Sequence, residues 1–416
     1  MKKISICASM PMHSYDTAKG IIKSKMLDRY YSSVYNDNSL LYKLMQFMLP
    51  KRISKRVINK KCKILNKYVK KYCEYEGLFV VGSGYIPIKK IYIIKLLNHM
   101  NKRFGKLVAK DIINRDIDAI IAYDTYANDL FDYLRKKNSR IIKILDMASI
   151  SSKIIKIIID EECEKKYPFL DTMTIKKQVY SENIIKNNVS EILSADYLLA
   201  ASRFCAESLI QTGVIAEKIK IVPYGINIDK FYFKDKKINK DSLTFLFVGR
   251  LEAAKGIWYL FEAFNDERIK NKNIKLRVVG DIRTDKSNLI KYSENIIFEG
   301  LKQYDEMPKV YAESDVYILS SLWEGFSFSL LEAMASGLPA IATKNSAAPE
   351  IISNYMDGIL INSQSVEEIV EAILWFDNNR EKLPLMSKNA REKIACNYTL
   401  EHYYQRINHA LKEILT

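Results

Sequence analysis

Short runs of β-branched and other apolar residues alternate along this chain with longer helical patterns, and this alternation constrains the fold more than any other feature. Such an order is typical of βαβ units, in which parallel strands form a sheet covered by helices. The predicted buried strands are Ile4–Ala8, Ala119–Ala122, Ile141–Leu145, Tyr197–Ala200, Thr244–Val248, Lys275–Val279 and Val316–Leu319. The sequence therefore predicts an α/β protein with two parallel sheets.

The length of the chain indicates two domains. A chain of 416 residues is too long for one ordinary hydrophobic core and suits two domains of about 200 residues each. A change of composition and the turn residues Pro223-Tyr224-Gly225 mark the boundary between them. We expect an N-terminal domain over residues 1–222 and a C-terminal domain over residues 223–398.

The positive charge of the chain lies in its first half. The net charge is +16, and residues 1–225 hold 40 Lys and Arg against 22 Asp and Glu. Residues 51–71 carry ten of these cations and no carboxylate, with apolar residues at three- and four-residue steps. This pattern predicts a helix that lies on an anionic membrane surface; an exposed basic helix packed on its own domain is the alternative. A nucleic-acid surface is less favoured, because no recognition motif accompanies the charge.

The spacing of the cysteines and the hydropathy of the chain indicate its cellular compartment. The six cysteines are far apart and form no C-x-x-C pair, so neither a zinc site nor a disulfide framework is predicted. No apolar run approaches the roughly 20 residues of a spanning helix, and the N-terminus lacks a small-residue cleavage site. We expect a cytoplasmic protein, peripheral on the inner face of the membrane.

A loop with two cations follows the strand Thr244–Val248. It contains Arg250 and Lys255, and Gly256 precedes the start of a helix near Ile257. In doubly wound sheets ligands bind where such loops lead into helices, whose free N–H groups attract anions. Guanidinium and ammonium groups stabilise phosphate oxygens, so the loop suits a diphosphate. Solvated surface cations are the alternative.

A second loop with two glutamates follows the strand Val316–Leu319. Ser327 is a plausible cap for a helix over Phe328–Ser336, with Glu324 before the helix and Glu332 one turn inside it. A carboxylate at this place accepts hydrogen bonds from vicinal hydroxyls such as those of a ribose. Ordinary acidic residues near a helix start are the alternative.

These two loops carry a family resemblance. Phe247-Val-Gly-Arg-Leu251, Lys255-Gly256 and the long stretch from Glu324-Gly-Phe-Ser to Ala-Ile-Ala-Thr343, followed by Pro349-Glu350, closely resemble the nucleotide-sugar half of family 4 glycosyltransferases. The glutamates stand in the E-x7-E arrangement of that family. The segments 195–202 and 221–227 are also similar to it. The resemblance covers about residues 190–416 well and residues 1–190 only loosely.

The resemblance implies a GT-B fold, two Rossmann-like domains that face each other across a cleft, with the donor on the C-terminal domain. Arg250 and Lys255 match the positions that hold the donor diphosphate, Glu324 the one that bonds the transferred sugar, and Glu332 the one that holds the ribose. Backbone amides of Phe328, Ser329 and Leu330 are expected to complete the phosphate site. The resemblance also implies retention of anomeric configuration and a terminal helix, residues 399–416, that crosses back to the N-terminal domain.

The N-terminal half departs from the family pattern in two places. The first strand is followed by Ser9 to Ser14 rather than by a Gly-Gly turn, and the strand Ile141–Leu145 ends in Asp146-Met-Ala-Ser149 where many members have a histidine. We expect His13 and Asp146 to face the cleft, although a lone Asp at a strand end also serves as a helix cap. The acceptor-side candidates are His13, Ser14, Asp146 and Ser149, and Asp146 is also a catalytic candidate with Glu324, Arg250 and Lys255.

The function expected from this resemblance is transfer of a sugar from a nucleoside diphosphate sugar to a hydroxyl of a lipid-linked glycan in surface polysaccharide synthesis. The alternatives are a sugar-nucleotide epimerase or phosphorylase of the same fold and, less favoured, a nucleic-acid-binding protein. No cofactor or metal is expected, because the cations take the place of a metal. Asp116-Ile-Asp118 spells a D-x-D metal motif but is predicted to be a solvated loop. The base, the sugar and the acceptor are left open.

Overall fold

Two parallel β-sheets organise the chain. The computed structural model describes residues 2–10, 13–40, 42–43, 60–83, 90–165, 180–233, 241–283, 287, 289, 292 and 294–416. Every strand pair within these residues is parallel, as the alternation of strand and helix predicts. Parallel strands need helical crossovers, which cover both faces of each sheet.

The N-terminal sheet has seven strands in the order β3-β2-β1-β4-β5-β6-β7. They are β1 (Ile4–Cys7), β2 (Leu27–Ser32), β3 (Val69–Lys71), β4 (Ala119–Tyr123), β5 (Ile142–Met147), β6 (Tyr197–Ala200) and β7 (Ile219–Ile221). The helices of this domain are α1 (Ser14–Lys23), α2 (Glu74–Gly82), α3 (Lys90–Ile112), α4 (Asn128–Lys136), α5 (Ser152–Cys163), α6 (Glu182–Ser194) and α7 (Arg203–Thr212). The central strands β1 and β4 are buried throughout, because helices pack on both faces.

The C-terminal sheet has six strands in the order β10-β9-β8-β11-β12-β13. They are β8 (Leu243–Val248), β9 (Ile274–Val279), β10 (Ile296–Gly300), β11 (Val316–Leu319), β12 (Ala340–Thr343) and β13 (Gly358–Ile361). The helices are α8 (Ile257–Phe264), α9 (Glu267–Lys270), α10 (Met307–Ala312), α11 (Phe328–Ala335), α12 (Ala348–Ile351), α13 (Val366–Asn378), α14 (Leu383–Asn397) and α15 (Leu400–Leu415). Sequence order and strand order make this a second Rossmann-like unit.

The chain crosses between the two sheets twice, and the two crossings lie side by side. The Ile226 N–H donates to the carbonyl of Tyr398 at 2.9 Å, and the Leu400 N–H donates to the carbonyl of Ile226 at 3.0 Å. The terminal helix α15 then packs on α1, where the hydroxyls of Tyr403 and Thr17 lie 2.8 Å apart. The last helix of the chain is thus attached to the first domain.

The predicted elements agree well with this architecture. All seven predicted strands are present, with ends within two residues of the prediction, and the helix predicted over Phe328–Ser336 is α11. Asp116 is fully exposed at the side chain and pairs with Lys3, so the D-x-D sequence lies in a solvated loop before β4. The strands that the sequence reading missed are β2, β3, β7, β10, β12 and β13.

The single helix predicted over residues 51–71 is wrong for the part that the structure describes. Residues 51–59 lie outside the described residues, whereas Lys63–Leu65 form one short turn and Val69–Lys71 form the edge strand β3. Val69 pairs with Tyr30 of β2, and Leu65 is fully buried. Among the described residues of this segment, Leu65 therefore serves the core and Val69 the sheet edge, and tertiary pairing overrides the local helical period.

Candidate active site

The loops at the carboxyl ends of the two sheets meet each other. A Cβ on Gly325, in the loop after β11, would lie 2.1 Å from the carbonyl oxygen of Ala148, in the loop after β5. The Ser202 hydroxyl at the start of α7 donates to the Gly325 carbonyl at 2.7 Å. Only glycine permits this approach, so the two domains touch at the place where the sequence puts the candidate residues.

The loop after β8 holds Lys255 and Arg250 at the carboxyl edge of the C-terminal sheet. Gly256 has a φ of 64°, and a Cβ there would lie 1.9 Å from the carbonyl oxygen of Ser320 at the end of β11. The Ser320 hydroxyl also donates to the Lys255 carbonyl at 2.9 Å. Arg250 is 55% exposed at its side chain and pairs with Glu252 at 3.3 Å. The loop is thus fixed against β11, while the guanidinium faces solvent.

Lys255 and Glu324 form an ion pair between the two loops. Their side chains are 21% and 20% exposed, and the Lys255 ammonium donates to the Glu324 carboxylate. The Glu324 N–H donates to the carbonyl of Asn345 at 2.9 Å, which fixes the backbone under the carboxylate. Two residues that stand 69 positions apart are therefore brought together at the carboxyl edge of the C-terminal sheet.

The helix α11 starts beside this pair. The Ser327 side chain caps it by accepting a hydrogen bond from the Leu330 N–H at 3.3 Å, as the sequence predicts. The Ser329 hydroxyl lies 2.7 Å from the Tyr317 hydroxyl of β11. Phe328, the first helical residue, is 38% exposed. The helix start thus faces the cleft with its dipole suited to an anion.

Glu332 is half-buried one turn inside α11. The Tyr311 hydroxyl donates to its carboxylate at 2.8 Å. Burial raises the pKa of Glu332 to about 7, although the Tyr311 hydrogen bond and the Lys230 ammonium act in the opposite direction. The site therefore holds a carboxylate that is costly to ionise and that accepts a hydrogen bond from Tyr311.

On the N-terminal side, His13, Asp146 and Tyr224 form one hydrogen-bonded group. The Tyr224 hydroxyl donates to one Asp146 oxygen at 2.8 Å, and the other Asp146 oxygen lies 3.3 Å from His13 Nε2. The Tyr224 oxygen is also 2.7 Å from His13 Nε2. Since the phenol proton is donated to Asp146, this contact is satisfied when Nε2 carries a proton. Burial and then the Asp146 carboxylate raise the pKa of Tyr224 well above 10, so the phenol stays protonated.

Tyr224 also contacts the start of α11 in the C-terminal domain. Its ring stacks on that of Phe328 with centroids 5.5 Å apart and planes 19° apart, and it meets the Phe326 ring edge-on at 5.4 Å. Sequence reading treated Tyr224 as part of a boundary turn and missed this role. An aromatic residue between a proline and a glycine at a domain boundary was the available signal.

Asp124 is a second residue that the sequence reading missed. It follows β4, and its N–H donates to the Asp146 carbonyl at 3.3 Å. Burial and then the neighbouring Asp146 raise the pKa of Asp124 to about 6. Two carboxylates of adjacent strands therefore lie together at this edge of the sheet, as the parallel topology requires.

The remaining acceptor-side candidates have other partners. Ser14 is fully buried, and its hydroxyl lies 2.8 Å from that of Tyr30 on β2. The Ser149 carbonyl accepts a hydrogen bond from the Cys205 thiol at 3.0 Å, and its Cα borders Gly325. The structure thus brings His13 and Asp146 together, but it places Ser14 at the start of α1 with its side chain buried against β2, and Ser149 at the domain contact.

No three His, Cys, Asp or Glu side chains within the described residues come together in a way that could hold a metal ion. None of the helices in the described ranges has the length and apolar character needed to cross a bilayer.

The C-terminal half of the chain is similar to a known family. Residues 229–393 match the family model described as glycosyl transferases group 1. The matched region contains both cationic and acidic loops of the C-terminal domain, and it begins just after the first crossing between the sheets.

Curated relatives extend the likeness beyond that region. The chain is 29% identical to an uncharacterized 41.2 kDa protein in the cps region of Klebsiella pneumoniae over 53% of this chain and 62% of the relative. It is 29% identical to an uncharacterized glycosyltransferase of Methanocaldococcus jannaschii over 66% and 68% of the two chains. It is also 29% identical to the UDP-Gal:alpha-D-GlcNAc-diphosphoundecaprenol alpha-1,3-galactosyltransferase of Escherichia coli over 44% and 51%. The chain thus spans between about half and two thirds of the length of these relatives.

Solved structures agree with the fold over the whole chain. The Anabaena protein HepE in complex with UDP superposes with a TM-score of 0.64 at 15% identity, covering 99% of this chain and 100% of its own. The sucrose-phosphate synthase of Thermosynechococcus elongatus gives 0.69 at 14% identity, covering 100% and 99%. The predicted fold class, GT-B with two Rossmann-like domains, is confirmed.

Proposed function

We propose that this chain is a glycosyltransferase that moves a sugar from a nucleoside diphosphate sugar to a hydroxyl of a glycan acceptor in surface polysaccharide synthesis. The observation that carries the proposal is the meeting of Lys255, Glu324 and the start of α11 at one edge of the C-terminal sheet, opposite His13 and Asp146. A donor site and a polar acceptor side then face each other across one cleft.

In this proposal, the donor side supplies the positive charge and the hydrogen-bond donors that stabilise a departing nucleoside diphosphate. Lys255, Arg250 and the amides of Phe328, Ser329 and Leu330 at the start of α11 stabilise the negative charge that grows on the leaving diphosphate. Glu332 accepts hydrogen bonds from the ribose hydroxyls, and Glu324 from a hydroxyl of the transferred sugar. Since cations serve the leaving group, no metal is required in this proposal.

In this proposal, the acceptor side orients the acceptor hydroxyl and provides groups that can accept its proton. Asp146 and His13 are buried and fixed by Tyr224, so they present a rigid polar wall to an acceptor hydroxyl. Closure of the domains excludes water, which protects the donor from hydrolysis. We propose retention of configuration, with the acceptor attacking from the side that the leaving group vacates; the family resemblance of the E-x7-E loop supports it.

The relatives support the substrate class. One is named for transfer of galactose from UDP to a sugar on diphosphoundecaprenol, and others are named for colanic acid and amylovoran biosynthesis. A lipid-linked acceptor would be met at a membrane surface. The surplus of cations in residues 1–225, 40 against 22 acidic residues, is what an anionic surface attracts.

Nucleotide binding tests the proposed function first. UDP, GDP, ADP and a single-stranded oligonucleotide are each added to the full chain, and thermal unfolding is followed. We expect one nucleoside diphosphate to raise the midpoint while the oligonucleotide does not. Stabilisation by the oligonucleotide alone would favour the nucleic-acid alternative.

Product analysis then tests the reaction. With the stabilising nucleotide's sugar derivatives and a lipid-linked saccharide, the proposal expects a new glycosidic bond whose anomeric proton coupling matches that of the donor. Glu324→Gln should lower kcat more than it raises KM for the donor, because it bonds the reacting sugar. Formation of an epimerised donor or a sugar phosphate would favour the epimerase or phosphorylase alternatives.

Vesicle binding tests the membrane part of the proposal separately. We expect co-sedimentation with anionic but not zwitterionic vesicles at low salt, and loss of it when Lys51, Arg52, Lys55, Arg56, Lys60 and Lys61 are changed to Gln. The first four residues lie outside the described residues. Equal sedimentation of the wild type and this variant would show that the segment is not the membrane contact.

A further inference from the structure

A polar cavity lies in the N-terminal domain beside the acceptor side of the cleft. It has a volume of about 340 Å³, is open to solvent on one side, and is lined by α3, by α6 and by the loop from β4 into α4. Five asparagines line it: Asn98, Asn101, Asn128, Asn187 and Asn188. No part of the proposed donor site lies there.

The floor of the cavity is buried and rigid. Glu191 is 1% exposed, and its carboxylate accepts backbone N–H groups of Thr125 at 2.8 Å, of Asn128 at 3.1 Å and of Ala127. These bonds hold the loop after β4 in place. The floor is therefore a preformed surface rather than a gap between loosely packed helices.

The asparagines at the floor and at the mouth differ in their bonding. The Asn101 carbonyl oxygen accepts from the Ser9 hydroxyl at 2.8 Å, and the Asn188 oxygen accepts from the Ser152 N–H at 3.2 Å. Asn98 and Asn187 are exposed at the mouth, where no hydrogen bond to another of the described side chains holds them. Each amide offers a donor and an acceptor, so the set can bond groups that both donate and accept.

The chemistry of the lining selects a neutral hydroxyl-rich ligand. Lys102 and Asp129 both line the cavity and offset each other's charge, so an anion finds no surplus of cations there. Tyr126 is half-buried in the wall and presents an aromatic surface beside the polar amides. Amides that bond hydroxyls, next to a ring that covers an apolar C–H face, are complementary to a pyranose.

The cavity is connected to the acceptor side through two short links. Asn101 bonds Ser9, which follows β1 as His13 does, and Thr125 follows Asp124, whose N–H donates to the Asp146 carbonyl. We propose that this cavity binds a sugar residue of the acceptor other than the one that reacts, and so selects acceptors by the sugar next in the glycan. The assignment of that sugar to an acceptor rests on the proposed function; the sugar site itself does not.

The test uses the full chain and simple sugars. Saturation-transfer NMR is recorded with the methyl α-glycosides of glucose, galactose, mannose and N-acetylglucosamine, with inorganic phosphate titrated as the anionic probe. We expect at least one glycoside to bind, and the double variant Asn98→Ala, Asn187→Ala to weaken it at least tenfold. Asn183→Ala, on the exposed face of the same helix α6 but outside the cavity, is the matched control and should bind as the wild type does.

A second variant is needed in case the double alanine variant keeps enough contacts to bind a glycoside. Asn187→Trp should fill the mouth and abolish glycoside binding while the unfolding midpoint stays within a few degrees of the wild type. No binding of any glycoside, binding that both variants keep, or displacement of the glycoside by phosphate would overturn the inference. Binding of UDP, GDP and ADP is measured on the same samples. Glycoside binding without binding of any of these nucleotides supports the sugar site and contradicts the glycosyltransferase proposal, and the reverse result contradicts the sugar site alone.

Discussion

Glu332→Gln separates the energetic cost of a buried carboxylate from its use in ligand binding. Burial, opposed by the Tyr311 hydrogen bond, raises the pKa of Glu332 from 4.5 to about 7 in the folded chain. The folded state then holds this proton more tightly than the unfolded state does, so ionisation lowers the stability of the fold as pH rises from about 4.5 to about 7. Above pH 7 the whole penalty is present.

The size of the penalty follows from the pKa change. A change from 4.5 to about 7 corresponds to about 3 kcal/mol, and partial solvent contact of the side chain reduces it to about 1–3 kcal/mol. Glutamine has nearly the same volume and keeps an oxygen that accepts from Tyr311. Glu332→Gln is therefore expected to be about 1–3 kcal/mol more stable than the wild type at pH 8, with a smaller gap at pH 5.

Urea unfolding of both proteins at pH 5 and pH 8 measures this difference, with and without the nucleoside diphosphate that raises the unfolding midpoint of the full chain. This nucleotide should stabilise the wild type and should stabilise Glu332→Gln much less, because a neutral amide bonds the ribose hydroxyls less strongly. Glu392→Gln, at an exposed carboxylate on α14, is the control and should change neither quantity. Equal stability at pH 8 would refute the burial argument, and equal stabilisation by the nucleotide would refute the ribose role.

Four further substitutions test other parts of the cleft. Gly325→Ala puts a Cβ 2.1 Å from the Ala148 carbonyl, so the domains must part by about 1 Å; we expect kcat to fall about 100-fold and UDP affinity, measured by calorimetry, to stay within threefold. Wild-type kcat would show that the contact is not needed for turnover. Tyr224→Phe removes the donor to Asp146 and should shift the pH profile of kcat, whereas a lower kcat with an unchanged profile would mean packing alone. Arg250→Ala and Lys255→Ala should each cost about 2–4 kcal/mol in kcat/KM, and small losses in both would contradict the diphosphate role.

The C-terminal half of the site could be predicted from the sequence because its determinants are local. Val316–Leu319 is a continuous apolar strand, Ser327 caps the helix that follows, and Glu324 lies between them. Each signal is read within a few residues of the next. The ion pair of Glu324 with Lys255 is long-range, but parallel topology places the ends of neighbouring strands β8 and β11 at one edge, so their nearness follows from the strand order.

The N-terminal half could not be predicted to the same extent because its determinants are distant or weak. The contact between Tyr224 and His13 joins residues 211 positions apart. The sequence around each residue contains no motif that predicts this contact. The edge strand Val69–Lys71 has three residues, all only partly buried, and two of them are lysines. Charged residues suit an edge strand, which must not attract further strands, but they remove the apolar pattern by which strands are recognised.

Tyr224 joins the two halves of the cleft beside both chain crossings. Ile226, two residues further on, bonds Tyr398 and Leu400, so the two connections between the domains lie next to each other. Tyr224 donates to Asp146 of the N-terminal sheet and stacks on Phe328 at the start of α11. A substitution at Tyr224 therefore acts on residues of both domains at once. Tyr224→Phe keeps the ring and removes only the hydroxyl, so it separates the hydrogen bond to Asp146 from the packing on Phe328.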